Sequence, residues 1–363
     1  MFFLTVIVSL YILTIAILIY GFDKIKEPGT KNLTPKTNFT IIVPFRNEAE
    51  NLPILLTSLE KMNYPSGLFE VILVDDASDF RMQILECRFQ ITMIDNIRIS
   101  KSPKKDAITT AMQKVKSEWV ITTDADCVVP QNWLLSLDNY IQTHYVSMIA
   151  GAVNYAVDNS FLHHFQQLDI ASLQGATIGS FGISKGFMCN GANLAYTKSL
   201  FQKLNRFESN NTIASGDDVF LLQKAIGQFP EQVHYLKSDD CIVITKPLND
   251  WKSLFYQRVR WASKTTAYQS TFGKMLGLIV FGGNLGLLFV VWSLLFGVGN
   301  FYILYFLVLS KISIDFVLIN KTNRFLKNKT TSYLAAALLY PFFNVVVACY
   351  ALFGKYEWKG RRF

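Results

Sequence analysis

What most constrains this chain is where its apolar residues lie. They crowd positions 2 to 20, FFLTVIVSLYILTIAILIY, and most of 275 to 353, while the stretch between carries nearly all of the acidic residues. A helix needs about 20 apolar residues to cross the hydrocarbon of a bilayer, and both regions are long enough to supply them. With 363 residues, 51% of them hydrophobic, including 29 Phe and 16 Tyr, the chain is too apolar for an ordinary water-soluble protein. The pattern predicts a water-soluble domain held between membrane segments.

A cleaved signal peptide is the competing reading of the first run, but it shows no basic leader, no small-residue cleavage site and too long a core. An uncleaved anchor is therefore expected. Lys24, Lys26, Lys31 and Lys36 follow it, and the positive-inside rule then puts the central domain on the cytoplasmic face, at the inner membrane in a bacterium. The formal net charge of +8 has the same origin, because Lys321, Arg324, Lys327 and Lys329 also flank apolar stretches. No zinc finger or basic helix argues for nucleic acid as a partner. Five cysteines, without a CxxC pair, suit reduced thiols. Gly277 to Asn320 reads as two crossings broken near Gly297 to Asn300. Tyr333 to Leu352 is interrupted by Pro341 and is either a third crossing or a re-entrant hairpin bent at the proline. The hairpin would keep Lys355, Lys359, Arg361 and Arg362 cytosolic. The expected organisation is an anchor over 1–21, a linker over 22–38, a cytosolic catalytic domain over 39–250, an interfacial region over 251–272, membrane segments over 273–354 and a basic tail over 355–363.

Between the apolar ends, β-rich runs alternate with helical patterns, as in βαβ units. Strands are expected at Thr40 to Pro44, Glu70 to Asp75, Ile91 to Ile99, Trp119 to Thr123 and Val146 to Val153. A first helix is expected near Asn47, with Glu48 and Glu50 in its opening turn, and another over Asp106 to Val115. The fold class is α/β, with the carboxyl ends of parallel strands facing a ligand crevice.

Polar residues gather at those strand ends. Asp124-Ala125-Asp126 follows the strand WVITT, and two carboxylates one residue apart can aim oxygens at one hard cation, Mg2+ or Mn2+. Such an ion stabilises a departing nucleoside diphosphate. Asp75 and Asp76 end VILVDD and suit either an Asx turn or hydrogen bonds to a nucleobase or ribose. Pro44, Arg46 and Glu48 stand where a glycine-rich phosphate loop would be, which argues for contacts by side chains and metal. Lys104 and Lys105 are either solvated or within reach of a diphosphate. Asp217 and Asp218, after Gly216, could cap a helix or supply the base that takes an acceptor proton. Gln257-Arg258-Val259-Arg260-Trp261 could anchor at the membrane interface or bind diphosphate and sugar. The glycines of GISKGFMCNGANLAY (Gly182 to Tyr196) would allow close approach of an acceptor, or form a plain turn.

In this order VPFRNEAENL, VILVDDASD, TTDADC, ASGDDVFLL and QRVRW resemble the family 2 glycosyltransferases, which have the GT-A (nucleotide-diphospho-sugar transferase, Rossmann-like) fold and include cellulose, chitin and hyaluronan synthases and ceramide glucosyltransferase. The resemblance covers roughly residues 38 to 265. It implies a nucleotide-sugar donor, a UDP-sugar above all, and a lipid or membrane-proximal glycan acceptor. Asp75 or Asp76 would read the base, Asp126 with Asp124 would hold metal and diphosphate, Asp218 would be the catalytic base, and Gln257, Arg260 and Trp261 would form the QxxRW signature. Pro44, Arg46, Glu48 and Lys105 would join the donor site. The acidic pair departs from the usual Glu-Asp, which leaves the role of Asp217 open. A processive polysaccharide synthase is the close rival, and a membrane scaffold or transporter with a nucleotide-binding domain the distant one.

Overall fold

The computed structural model describes residues 2–29, 33–79, 86–205, 216–354, 357–358 and 361–362. Lys31, Lys355 and Lys359, and the Ala214-Ser215 start of the ASGDD motif, lie outside the described residues. In chain order the elements are α1 (Phe2–Lys24), β1 (Phe39–Phe45), α2 (Leu52–Glu60), β2 (Phe69–Asp75), β3 (Gln90–Asp95), α3 (Pro103–Met112), β4 (Trp119–Thr122), α4 (Trp133–Thr143), β5 (Met148–Gly151), β6 (Val153–Tyr155), α5 (Phe161–Gly182), β7 (Leu194–Thr197), α6 (Lys198–Lys203), α7 (Asp217–Gln228), β8 (Val233–Leu236), β9 (Val243–Thr245), α8 (Trp251–Ala262), α9 (Thr271–Leu295), α10 (Phe301–Phe325) and α11 (Tyr333–Phe353). They divide into two compact units, one of Lys26–Ala156 with Met188–Lys246, the other of Met1–Ile25, Val157–Phe187 and Pro247–Phe363.

The first unit is built on a seven-stranded sheet of order β3-β2-β1-β4-β7-β5-β8. Strands β1 to β4 run parallel, and the runs FTIIVPF and FEVILVD are apolar on both faces because both are covered. Trp133, Leu55, Leu59, Val71 and Ile121 form the heart of its core. Strand β7 runs antiparallel to both neighbours, with Leu194 opposite Thr122. This reversal brings the loop before β7 to the carboxyl end of β4.

Several local expectations change. The first helix starts at Leu52, not near Asn47. Asn47 takes φ +56°, which a helix excludes, and its side chain instead bonds with Asp79 in both directions, at 2.9 Å each way. The strand over Ile91 to Ile99 ends at Asp95, where the Asn96 side chain turns to Asp76 at 2.7 Å. The strand over Val146 to Val153 splits into β5 and β6, which belong to different sheets. The second helix spans Pro103–Met112, so Lys104 and Lys105 are inside its first turn rather than before it.

In the second unit, α1, α9, α10 and α11 are long and apolar enough to cross a membrane. The break between α9 and α10 falls at 296–300, as the sequence pattern indicates. The hairpin at Pro341 is not formed: α11 is one continuous helix of 21 residues with the proline inside it. Proline removes one N–H donor, and the turns on either side keep theirs. Helix α5 packs closely on α1 through glycines: a Cβ on Gly21 would stand 2.1 Å from the Gly179 carbonyl oxygen, and one on Gly182 1.8 Å from that of Gly21. Any side chain there would push the helices apart. Helices α1 and α10 also share a buried polar cluster, in which the Asp315 carboxylate accepts from Tyr11 Oη at 2.6 Å and from Lys311 Nζ at 2.8 Å.

Candidate active site

The most charged constellation in the sheet unit lies at the carboxyl end of β4. The strand stops at Thr122, and Asp124 and Asp126 flank the turn that follows, both half-buried. From the start of α3, Lys104 reaches across to Asp124, with Nζ 2.5 Å from Oδ1. The same ammonium is 3.9 Å from Asp217 Oδ2. Asp217 and Asp218 open α7, whose N-cap is Gly216 at φ +84°. Their carboxylates thus occupy the positive end of the helix.

Asp218 is oriented by main-chain donors. Its Oδ2 accepts from the Gly191 N–H at 2.7 Å and its Oδ1 from the Val219 N–H at 2.8 Å. Gly191 is held in turn by its own carbonyl, which accepts from Thr122 Oγ1 at 2.8 Å. A Cβ at this position would meet Lys104 Nζ at 3.2 Å and Asp218 Oδ2 at 3.3 Å, so a side chain there would crowd both by a few tenths of an ångström. Burial would push the Lys104 ammonium down, but Asp124, Asp217 and Asp218 outweigh it and hold its pKa above the ordinary lysine range. The adjacent Lys105 is 1% exposed, with Nζ 5.2 Å from the Phe220 ring centre. Burial takes its pKa down to about 8, only partly offset by Asp217 and Asp218. Burial, reinforced by neighbouring carboxylates, raises the thiols of Cys127 and Cys189, which are therefore neutral.

At the ends of β1 and β2, Asp75 accepts from the Ser78 N–H at 2.9 Å and Ser78 Oγ at 2.6 Å, the geometry of an Asx turn. Asp76 faces Asn96 and Arg98, whose Nη1 is 3.3 Å from Oδ1. Arg98 also contacts Asp106 at 3.2 Å. Pro44 pairs in register with Val74, and Arg46 and Glu48 lead away from the strand end, where Glu48 accepts from Asn51 Nδ2 at 2.7 Å. The sheet unit thus brings Lys104, Asp124, Asp217, Asp218 and Gly191 together, and sets Asp75 and Asp76 at the end of β2, two strands away from β4.

Gln257, Arg260 and Trp261 belong to the other unit, on α8. The buried arginine of that motif is Arg258. Its Nε is 2.5 Å from the Asp169 carboxylate on α5, its Nη1 donates to Gln257 Oε1, and its guanidinium lies 4.2 Å from the Trp261 ring centre. Within the sheet unit, Arg98 is the contributor that residue type alone does not single out. The Lys104–Lys105 pair and the Gly182 to Tyr196 segment are legible as candidates, but nothing in either sequence distinguishes Lys104 or Gly191 as the contacting member. In the other unit, Asp169 is the partner that the QRVRW motif does not announce.

Asp124 and Asp126 suit a hard divalent cation, since both offer oxygens at a partly open turn. No group of three or more His, Cys, Asp or Glu side chains placed to hold a metal occurs among the described residues. Two carboxylates with the remaining positions left to phosphate and water is the usual arrangement for Mg2+ at a nucleotide.

The family model described as Glycosyl transferase family 2 matches residues 40–205. Glycosyltransferase AglE of Haloferax volcanii is 24% identical over 190 residues, 51% of this chain and 60% of that protein. The poly(ribitol-phosphate) beta-N-acetylglucosaminyltransferase TarS of Staphylococcus aureus is 29% identical over 118 residues, 31% of this chain and 20% of that protein. The chain therefore spans less than two thirds of the length of these curated relatives. Among solved structures, the mannosyltransferase PcManGT of Pyrobaculum calidifontis, in complex with GDP-Man and Mn2+, matches with a TM-score of 0.54 and 15% identity over 96% of this chain and 99% of that one. At that identity the likeness is one of fold, and the fold is GT-A.

Proposed function

We propose that this chain, whose residues 40–205 match the model of glycosyl transferase family 2, is a membrane-bound inverting glycosyltransferase that moves a sugar from a nucleotide-sugar, with a UDP-sugar as first candidate, to a lipid or membrane-proximal glycan. The observation that carries the reading is the cluster at the end of β4, where Asp124, Asp217 and Lys104 meet and Asp218 is aimed by the Gly191 amide. The membrane assignment is supported by the apolar side chains exposed on the four long helices, such as Leu278, Trp292, Phe306 and Leu338. In water such a surface would aggregate, and in lipid it is solvated. With the basic residues after α1, the sheet unit falls on the cytoplasmic face.

In this mechanism Asp218 takes the proton of the acceptor hydroxyl as its oxygen attacks the anomeric carbon from the side opposite the diphosphate. The two main-chain hydrogen bonds fix the carboxylate plane. Asp126 with Asp124 would hold Mg2+ or Mn2+, which neutralises charge on the leaving diphosphate. PcManGT, of the same fold, is seen with Mn2+. Asp75 and Asp76 are proposed to recognise the base and ribose. Pro44, Arg46, Glu48 and Lys105 complete the donor side, and Gln257, Arg260 and Trp261 serve donor and acceptor at the membrane surface. The basic domain plan, an anchor over 1–21, a catalytic domain over 39–250 and membrane segments over 273–354, is part of the same proposal.

The test is release of nucleoside diphosphate from a panel of nucleotide-sugars by membranes holding the full chain, with Mn2+, Mg2+ or EDTA. Asp218→Asn is expected to retain donor binding and lose transfer, and Asp126→Ala to lose both turnover and its metal dependence. Undiminished turnover in both variants would refute the mechanism. The QRVRW helix α8 favours a processive synthase as the second reading, and product length separates the two.

A further inference from the structure

We propose that Lys104 is a built-in counter-ion of the acidic cluster, one that a divalent cation must displace from Asp124 and that the diphosphate of an incoming donor then engages, so that metal and nucleotide bind cooperatively. The identity of the two ligands rests on the glycosyltransferase reading above, whereas the displacement rests on geometry.

Lys104 lies in the first turn of α3, directly after Pro103, so its backbone is fixed by the start of the helix. From there its side chain crosses to the end of β4 and places Nζ 2.5 Å from Asp124 Oδ1 and 3.9 Å from Asp217 Oδ2. Gly191 lies beside the ammonium, close enough that a methyl group there would stand 3.2 Å from Nζ. The Lys104 side chain is 20% exposed and that of Asp217 8%, while that of Asp124 is 40% exposed. The accessible carboxylate of the cluster is thus the one Lys104 holds most tightly, and it is also half of the Asp124/Asp126 pair suited to a cation.

Without a ligand, this arrangement offsets the mutual repulsion of Asp124, Asp217 and Asp218 at the positive end of α7. A divalent ion drawn to Asp124 and Asp126 would bring two positive charges beside the ammonium, and like charges a few ångströms apart in a half-buried site repel strongly. Metal alone therefore binds against Lys104. A diphosphate arriving with the metal changes the balance, because the displaced ammonium gains an anion of its own. Cooperativity of this kind is reciprocal: the nucleotide tightens the metal by the same factor as the metal tightens the nucleotide.

Binding of Mn2+ to the full chain in detergent, followed by its electron paramagnetic resonance signal with and without UDP or GDP, tests this directly. Removing one opposing charge is expected to tighten Mn2+ alone by about tenfold in Lys104→Gln, and to reduce the coupling to nucleotide by a similar factor. Lys104→Arg keeps the charge and can hold a carboxylate through two N–H groups, so it is expected to bind Mn2+ alone no better than wild type. The proposal is overturned if Lys104→Gln, with its cooperative thermal transition intact, binds Mn2+ alone no more tightly than wild type. Tightening by Lys104→Arg overturns it as well, and this variant preserves the charge should the Gln variant misfold. If wild type and variants bind neither Mn2+ nor nucleoside diphosphate, the glycosyltransferase reading itself fails, a result distinct from binding in the wrong rank order.

Discussion

Replacing Asn193 by leucine tests whether the candidate site is braced from beneath. Asn193 is 2% exposed and stands two residues after Gly191. Its Nδ2 donates to the carbonyls of Ala152 at 2.8 Å and Cys241 at 2.6 Å, and its Oδ1 accepts from Trp133 Nε1 at 3.0 Å. One side chain thus ties the loop before β7 to the β5–β6 junction, to the turn before β9 and to the core tryptophan. Leucine has the same number of side-chain heavy atoms in the same branching and makes none of these bonds. The Ala152 carbonyl keeps a partner, since it also accepts from the Val243 N–H at 3.1 Å. The Trp133 N–H and the Cys241 carbonyl each lose the partner Asn193 supplied, at about 1–3 kcal/mol apiece. Part of that loss is recovered by burying an apolar side chain, leaving a net cost of about 3 kcal/mol. For a domain of this size that corresponds to a fall in Tm of ~6–12 °C. The assay is thermal unfolding of the full chain in detergent, read by limited proteolysis of the sheet unit, in a cycle with Trp133→Phe. Each single variant already removes the Trp133–Asn193 bond, so the double variant should lose about 1 kcal/mol less than the sum of the two. A Tm within 2 °C of wild type for Asn193→Leu, or strict additivity in the cycle, would show that this brace contributes nothing.

Two further predictions concern buried charge. Asp169→Leu or Arg258→Met alone should destabilise the helical unit by about 3–5 kcal/mol, by leaving one charge buried without its counter-ion, while the double variant should sit closer to wild type. Thermal unfolding of the four proteins measures this, and a double variant less stable than either single one would refute it. Lys105 has a pKa near 8 in the folded chain, below its unfolded value, so the unfolded state binds more protons between pH 8 and about 10.5 and the folded state gains stability as pH rises through that window. Lys105→Met should flatten the rise and be the more stable protein at pH 7, and parallel Tm profiles from pH 7 to 10 for the two proteins would refute the reading.

The parts of this protein legible in its sequence are those fixed by local rules. Strands β1, β2 and β4 could be placed because each is a short apolar run covered on both faces, and polar residues at their carboxyl ends follow from that placement. The helices α9 and α10 could be read from length and hydropathy. What stayed hidden depends on contacts between distant residues. The first helix starts later than its acidic residues suggest because Asn47 is held in a left-handed turn by Asp79 and Ser78, about thirty residues on. Pro341 resembles a bend in one dimension, yet a single missing donor does not end a helix whose other turns are intact. Arg258 and Arg260 are equivalent in composition, and only Asp169, 89 residues away on α5, makes Arg258 the buried one. The lysine pair has the same ambiguity, because consecutive residues in a helix point about 100° apart. Which of the two meets Asp124 is set by how α3 lies on the sheet. Gly191 shows most clearly why the site could be read only in part. Its segment looks like a plain turn until β7 is known to run antiparallel between β4 and β5. That single reversal carries the loop to the end of β4, where the Gly191 N–H aims Asp218 from 27 residues away. The acidic residues can thus be found by inspection, but the group that orients Asp218 is set by topology, and nothing near Asp218 in the sequence points to an amide 27 residues away.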